Sequence, residues 1–163
     1  MKTLLILRHA KSSWNDPSMD DHDRPLNNRG KRDAPRVGVV LKEKNLIPDA
    51  ILSSTARRAQ ETSREAARAS GFKKEIQFVP DFYPGTPNDY IHTLNNLPDQ
   101  VNRVMVVGHN PGLEGLLTTL TRIREELPTA TLVHLELPIE KWNELTSKTK
   151  ANLIFIWRPK END

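Results

Sequence analysis

Apolar positions in this chain are grouped into short continuous runs, separated by longer stretches where they recur at helical spacing. Residues 2–8 carry Leu4-Leu5-Ile6-Leu7, and residues 102–108 carry Val104-Met105-Val106-Val107. Four successive apolar residues, rather than alternate ones, are the mark of a strand buried on both faces, as in parallel sheets. Residues 50–52 give a third short run, and 75–79 alternate weakly. Residues 131–137 and 152–157 add two late strands, with a connection containing Trp142 between them. From Arg29 to Lys44, Val37, Val40 and Leu41 share one helical face, and Pro35 is expected within the first turns. Alanine-rich residues 56–69 predict a second helix, N-capped by Ser53 or Ser54 and ended by Gly71. Thr86 or Asn88 caps a third helix running through Leu94, and residues 112–122 form a fourth. Residues 159–163 are expected to fray. The order β-α-β-α-β-α-β-α-β-β predicts one α/β domain over 1–163, a three-layer α/β/α with a mostly parallel sheet.

Composition narrows the class. The chain has 163 residues, 36% hydrophobic and 28% charged, which fits one soluble domain with a real core. Twenty-four basic residues against 21 acidic ones give +3, with the signs interspersed. That balance gives no reason to expect a nucleic-acid partner. There are no cysteines, which excludes disulfides, thiolate metal sites and a cysteine nucleophile. Thr3 to Leu7 is too short for a signal-peptide core, and no run approaches the roughly 18 apolar residues of a membrane span. A cytoplasmic protein with no membrane partner is the expectation.

Both strongly apolar runs end in a histidine. The first leads into Arg8-His9-Ala10, the second into Gly108-His109-Asn110-Pro111-Gly112. In open α/β sheets, ligands bind outside the carboxyl ends of the strands, so two imidazoles reach the functional edge. Alone, each histidine could equally be a satisfied core group. Arg8 changes that reading, because a guanidinium beside an apolar strand needs an anion or a structural carboxylate, and arginine grips phosphate through two N–H groups. Arg57 and Arg58 open a helix after a third strand. They point about 100° apart, so one of them faces the strand ends. The glycine turn at 108–112 could add backbone N–H groups to an anion site. A metal reading is weak: two histidines are too few ligands, and no HExxH helix is present. Asp20-Asp21-His22-Asp23 could ligate a cation but reads more simply as a solvated loop. No GxxxxGK[ST] loop occurs.

Taken together, these segments resemble the histidine phosphatase superfamily, which includes the cofactor-dependent phosphoglycerate mutases. Arg8-His9-Ala10 is similar to its Arg-His-Gly signature. Ser53-Ser54-Thr55-Ala56-Arg57-Arg58-Ala59-Gln60-Glu61-Thr62 resembles its Ser-Ser-Pro-Leu-x-Arg-Ala-x-Gln-Thr element, and Gly108-His109-Asn110 its second-histidine element. Arg8-His9-Ala10-Lys11-Ser12-x-Trp14 and Asp23-Arg24-Pro25-Leu26-x-x-Arg29-Gly30 are most similar to the SixA-type phosphohistidine phosphatases. The resemblance implies a single histidine phosphatase domain with a phosphoglycerate mutase-like fold. It implies that His9 is a nucleophile that becomes phosphorylated, and that Arg8, Arg58 and a cationic His109 hold the phosphoryl oxygens. Arg24 and Asn110 are further expected phosphate contacts. No metal or other cofactor is implied. The expected partner is a phosphorylated substrate, in particular a phosphohistidine-bearing protein. A small-molecule phosphomonoesterase and an inactive phosphate-binding module are the alternatives. The chain departs from the family at Ala10, at Thr55-Ala56 in place of Pro-Leu, and at Glu61. A proton donor is not obvious. Asp81 lies in the right region, and the Asp16–Asp23 loop is another source. A phosphoramidate leaves through nitrogen and needs less acid assistance than an alkyl phosphate.

Overall fold

The computed structural model describes residues 1–162. Six strands form one sheet: β1 (Lys2–Arg8), β2 (Ala50–Ser54), β3 (Gln77–Val79), β4 (Arg103–Gly108), β5 (Leu132–Leu137) and β6 (Asn152–Trp157). Their spatial order is β3-β2-β4-β1-β5-β6. The pairs β1/β4, β2/β4 and β2/β3 are parallel, while β5 runs antiparallel to both β1 and β6. The consecutive apolar runs are central, as expected: Leu4 to Leu7 and Val104 to Val107 are all fully buried.

Four helices cover the two faces: α1 (Asn28–Glu43), α2 (Arg57–Ser70), α3 (Pro87–Asn95) and α4 (Gly112–Thr121). Leu5, Leu7, Met105 and Val107 pack with Val37 and Leu41 of α1 and with Ala59 and Ala66 of α2. Leu4, Ile6, Val104 and Val106 pack with Tyr90 and Leu94 of α3 and with Leu113 to Leu120 of α4. Alternate residues of one strand thus feed opposite layers, as the period of two requires. Trp142, fully buried on a single 3-10 turn, donates Nε1 to the Val101 carbonyl at 2.7 Å. Among the described residues, no helix is long and apolar enough to cross a membrane.

Local expectations were met in part. Gly71 ends α2 with φ 86°, and Thr86 caps α3 in a reciprocal pair with Asp89. Ser53 and Ser54 do not cap α2. They belong to β2, and Ala56 holds the cap position without a side-chain bond, while the Ser54 hydroxyl accepts from the Ala56 N–H. Pro35 lies in the middle of α1 rather than its first turns, two turns into a helix that starts at Asn28 and is capped by Asn27. Lacking an N–H, it leaves the Lys31 carbonyl without its helical donor. The tail does not fray over 159–162. It forms a 3-10 turn whose Pro159 and Asn162 carbonyls accept from Arg36. Residue 163 lies outside the described part.

Candidate active site

The parallel register of β1 on β4 sets Arg8 opposite Gly108. The next residue of each strand, His9 and His109, therefore leaves the sheet at adjacent positions. Their helices then diverge, α1 to one face and α4 to the other, the topology that in open α/β sheets places the ligand crevice at such a switch point. The two imidazoles stand 5.0 Å apart, centroid to centroid, and both are buried. Gly108 is needed here: a Cβ would fall 2.0 Å from the Tyr90 hydroxyl, which accepts the His109 N–H. Ala10 fits where the family carries glycine, because its methyl is buried in the α1–α2 core and its N–H donates to Thr62 Oγ1.

The histidines differ in their hydrogen bonds. His9 Nδ1 lies 2.8 Å from the Ala10 carbonyl. A carbonyl can only accept, so Nδ1 carries the proton and Nε2 keeps its lone pair. Burial, with smaller contributions from His109, Arg58 and Arg8, lowers the His9 pKa to about 3 against the pull of that carbonyl. His109 Nε2 is 2.8 Å from Ser54 Oγ, and its Nδ1 is buried without a partner. Burial and then Arg58 lower its pKa to about 3, opposed by Asp21. Burial and the two guanidiniums thus favour the neutral ring, against the cationic His109 that the family resemblance implies.

Arg8 donates Nη1 to the Leu127 carbonyl at 2.9 Å, and its Nε is buried and unpartnered. Arg58 is buried. Its Nη1 donates to the Asp21 carbonyl at 2.7 Å, its Nη2 to Asp21 Oδ2 at 3.0 Å, and its Nε has no partner. Arg57 is exposed and pairs with Glu61 at 3.2 Å. Of the two adjacent arginines, Arg58 is the one in the crevice. The Arg8 Nε, Arg58 Nε and His109 Nδ1 atoms thus form a set of buried nitrogens without partners, and leaving a buried polar atom unsatisfied costs about 1–3 kcal/mol. An anion with several oxygens would satisfy such a set.

The loop between β1 and α1, which the sequence offered as a source of carboxylates, supplies Asp21 to the site. The ends of this loop are held together by a bridge between Ser12 and Leu26 and by the Asn27 N–H on the Lys11 carbonyl. At its tip, Asp21 Oδ2 also accepts from the Tyr83 hydroxyl at 2.6 Å, and Oδ1 accepts from Arg24 Nε at 3.0 Å. The Tyr83 hydrogen bond first, then those of Arg58 and Arg24, hold this carboxyl well below the usual carboxylate range. Tyr83 stands edge-on to the His109 ring at 5.5 Å. Tyr83, Ser54 and Thr62 carried no pattern in the sequence beyond lying within or beside the quoted motifs.

Two expected phosphate contacts have other partners, and the expected proton donor lies on an exposed turn. Arg24 binds Asp21 and Ser12 and stacks on the exposed Trp14 ring at 3.5 Å, so it holds the loop that carries Asp21. Asn110 donates Nδ2 to Glu114 and to the Leu127 carbonyl, and its Oδ1 accepts from the Glu114 N–H, so its amide is committed to the start of α4. Asp81 is exposed on the turn Pro80–Phe82, while Tyr83, two residues on, reaches Asp21. Asp21 is bound by arginines, which also argues against the cation reading of the Asp20–Asp23 loop. Among the described residues, no three histidine or acidic side chains gather where they could hold a metal ion.

Comparison with known proteins agrees with this geometry. The profile of the histidine phosphatase superfamily (branch 1) matches residues 4–83. An uncharacterised chloroplastic protein of Arabidopsis thaliana is 34% identical over 153 residues, covering 88% of this chain and 70% of that one. A Mycobacterium leprae protein is 30% identical, covering 91% and 98%. Among solved structures, one from Agrobacterium tumefaciens designated as phosphohistidine phosphatase SixA is 28% identical with a TM-score of 0.80, covering 97% and 99%. A SixA protein histidine phosphatase in complex with tungstate shares the fold, with a TM-score of 0.85 at 19% identity, covering 99% of each chain. The chain belongs to the histidine phosphatase superfamily.

Proposed function

We propose that this protein is a phosphatase that works through a phosphohistidine intermediate on His9, and that its substrate is phosphohistidine on a protein. The observation that carries the reading is the arrangement at His9: Nδ1 tied to a carbonyl, which leaves the Nε2 lone pair available, beside two guanidiniums whose Nε atoms are buried and unpartnered. In the first step the Nε2 lone pair forms a bond to phosphorus, and the P–N bond of the substrate breaks with its electron pair passing to the leaving ring. Arg8, Arg58 and His109 hold the phosphoryl oxygens and stabilise charge in the transition state. His9 keeps its Nδ1 proton and becomes a phosphorylated imidazolium. Water then attacks phosphorus, and the products are dihydrogen phosphate and neutral His9.

The environment of the carboxylates supports a nitrogen leaving group. Hydrogen bonds favour the ionised form of Asp21, the Tyr83 proton is directed to Asp21, and burial favours the neutral form of both histidines. An alkoxide would find no acid among these groups. The discriminating experiment compares kcat/KM for a phosphohistidine protein with that for a panel of sugar phosphates. Higher efficiency on the sugar phosphates would replace this reading with that of a small-molecule phosphomonoesterase. Phosphate binding without turnover on either would indicate an inactive module.

Two further results are expected. Turnover survives EDTA, because guanidiniums supply the positive charge; loss with chelator and recovery with magnesium or zinc would refute this. Asp81→Asn keeps phosphohistidine hydrolysis within about 10²-fold of wild type, the low end of general acid catalysis. A larger loss in a folded variant, judged by circular dichroism, would make Asp81 the proton donor.

A further inference from the structure

The hydrogen-bond directions around Asp21 have a consequence for the leaving group. Its carboxylate takes three side-chain donors: Oδ1 takes Arg24, and Oδ2 takes both Arg58 and Tyr83. The Tyr83 hydroxyl must be the donor in that last bond, since an ionised carboxylate only accepts. Its oxygen is therefore left as an acceptor, one lone pair of which the Arg58 guanidinium engages, so one acceptor position remains. Tyr83 is half-buried, its ring edge-on to His109 and with the Arg58 guanidinium 5.9 Å from its centroid, so it stands beside the groups that would hold a phosphoryl group.

On the basis of the phosphatase reading above, we propose that Tyr83 Oη, polarised by Asp21, is the recognition site for the leaving group and accepts an N–H from a protonated nitrogen heterocycle. A phosphorylated imidazole has one nitrogen bonded to phosphorus and a distal nitrogen that can carry a proton. In the protonated form, cleavage of P–N sends the electron pair to the ring and releases neutral imidazole, with the distal proton staying in place. That form is the better phosphoryl donor. An acceptor backed by a carboxylate favours it and supplies nothing to an alkoxide. The dyad would thus select phosphoramidates by accepting a hydrogen bond rather than by giving a proton. Asp21 acts through Tyr83 and Arg58 and is a positioning residue. Tyr83 is the contact.

The test uses two small substrates, phosphoimidazole and its N-methylated cation, which has no distal N–H. The readout is the ratio of their kcat/KM values in wild type and in Tyr83→Phe. Differences in intrinsic reactivity cancel in this comparison. If Tyr83 accepts the N–H, the ratio falls about tenfold in the variant, the value of one hydrogen bond to a charged group. A role limited to packing His109 or orienting Arg58 would slow both substrates alike and leave the ratio unchanged within about twofold, which would overturn the proposal. Asp21→Asn provides a second variant: its amide can also donate, so the ratio should fall in the same direction, and an unchanged ratio in both variants counts against the dyad. Failure of wild type to hydrolyse phosphoimidazole while cleaving sugar phosphates would instead defeat the underlying substrate reading, so the two failures are distinguishable.

Discussion

Replacing His9 with alanine is expected to abolish the phosphoenzyme and lower turnover by at least about 10⁴-fold, the scale on which covalent hydrolases lose activity when the nucleophile is removed. Rapid acid or base quench of wild type with labelled substrate should give a phosphoprotein that is labile to acid and stable to base, as a P–N bond to imidazole requires. In His9→Ala that species should be missing. The pocket should persist, because Arg8, Arg58 and His109 are held by Leu127, Asp21 and Ser54 rather than by His9. Phosphate should therefore still bind to the inactive variant. The pH profile gives a second check. The His9 pKa is lowered to about 3, so its reactive neutral form is fully populated above roughly pH 4–5. Activity on a substrate that does not itself titrate should stay level from pH 8 down to about pH 5, with no fall near the ordinary histidine value. Normal turnover by His9→Ala, or an acid limb near 6.5 on such a substrate, would sink the assignment.

How much of this could be read in the sequence depended on whether the signal was local. β1 and β4 were legible because their residues are buried on both faces, and continuous apolar runs record that directly. The histidines at their ends followed at once. The choice between Arg57 and Arg58 was open on helical geometry alone and was narrowed only by the family spacing; the structure places Arg58 in the crevice because α2 begins at Arg57, which turns outward to Glu61. What could not be read are the pairings across long sequence separations. Asp21 meets Tyr83 over 62 residues and Arg58 over 37, and no periodicity encodes such a meeting. The same holds for Arg24 and Asn110. Each sits in a motif beside the site, but their partners, Asp21 and Ser12 in one case and Glu114 and Leu127 in the other, are set by loop folding. Ser54 misled as a helix cap because its motif opens a helix, whereas its hydroxyl serves Ala56 and His109 from the end of a strand.

Arg58→Ala is expected to cost about 3–4 kcal/mol of transition-state stabilisation, or roughly 10²–10³-fold in kcat/KM, by analogy with the loss of one preorganised oxyanion donor. Arg57→Ala should stay within about 0.5 kcal/mol of wild type in stability and change activity little, as an exposed residue in a single surface ion pair does. The contrast is informative because the residues are adjacent, of the same type and on the same helical turn, so only their direction differs. Arg58 is 6% exposed, and its two Nη atoms already hold Asp21 while Nε is unpartnered. Its removal deprives the crevice of a fixed charge and frees one side of Asp21, which keeps Arg24 and Tyr83. Arg58→Lys should recover only a small part of the loss. A lysine ammonium carries the charge but lacks the planar fork that engages Asp21 and an anion at once. Thermal midpoints must accompany the kinetics, since Asp21 loses one of the donors that hold its loop. Equal damage from Arg57→Ala and Arg58→Ala, with both proteins folded, would show that the anion site is not where Arg58 lies.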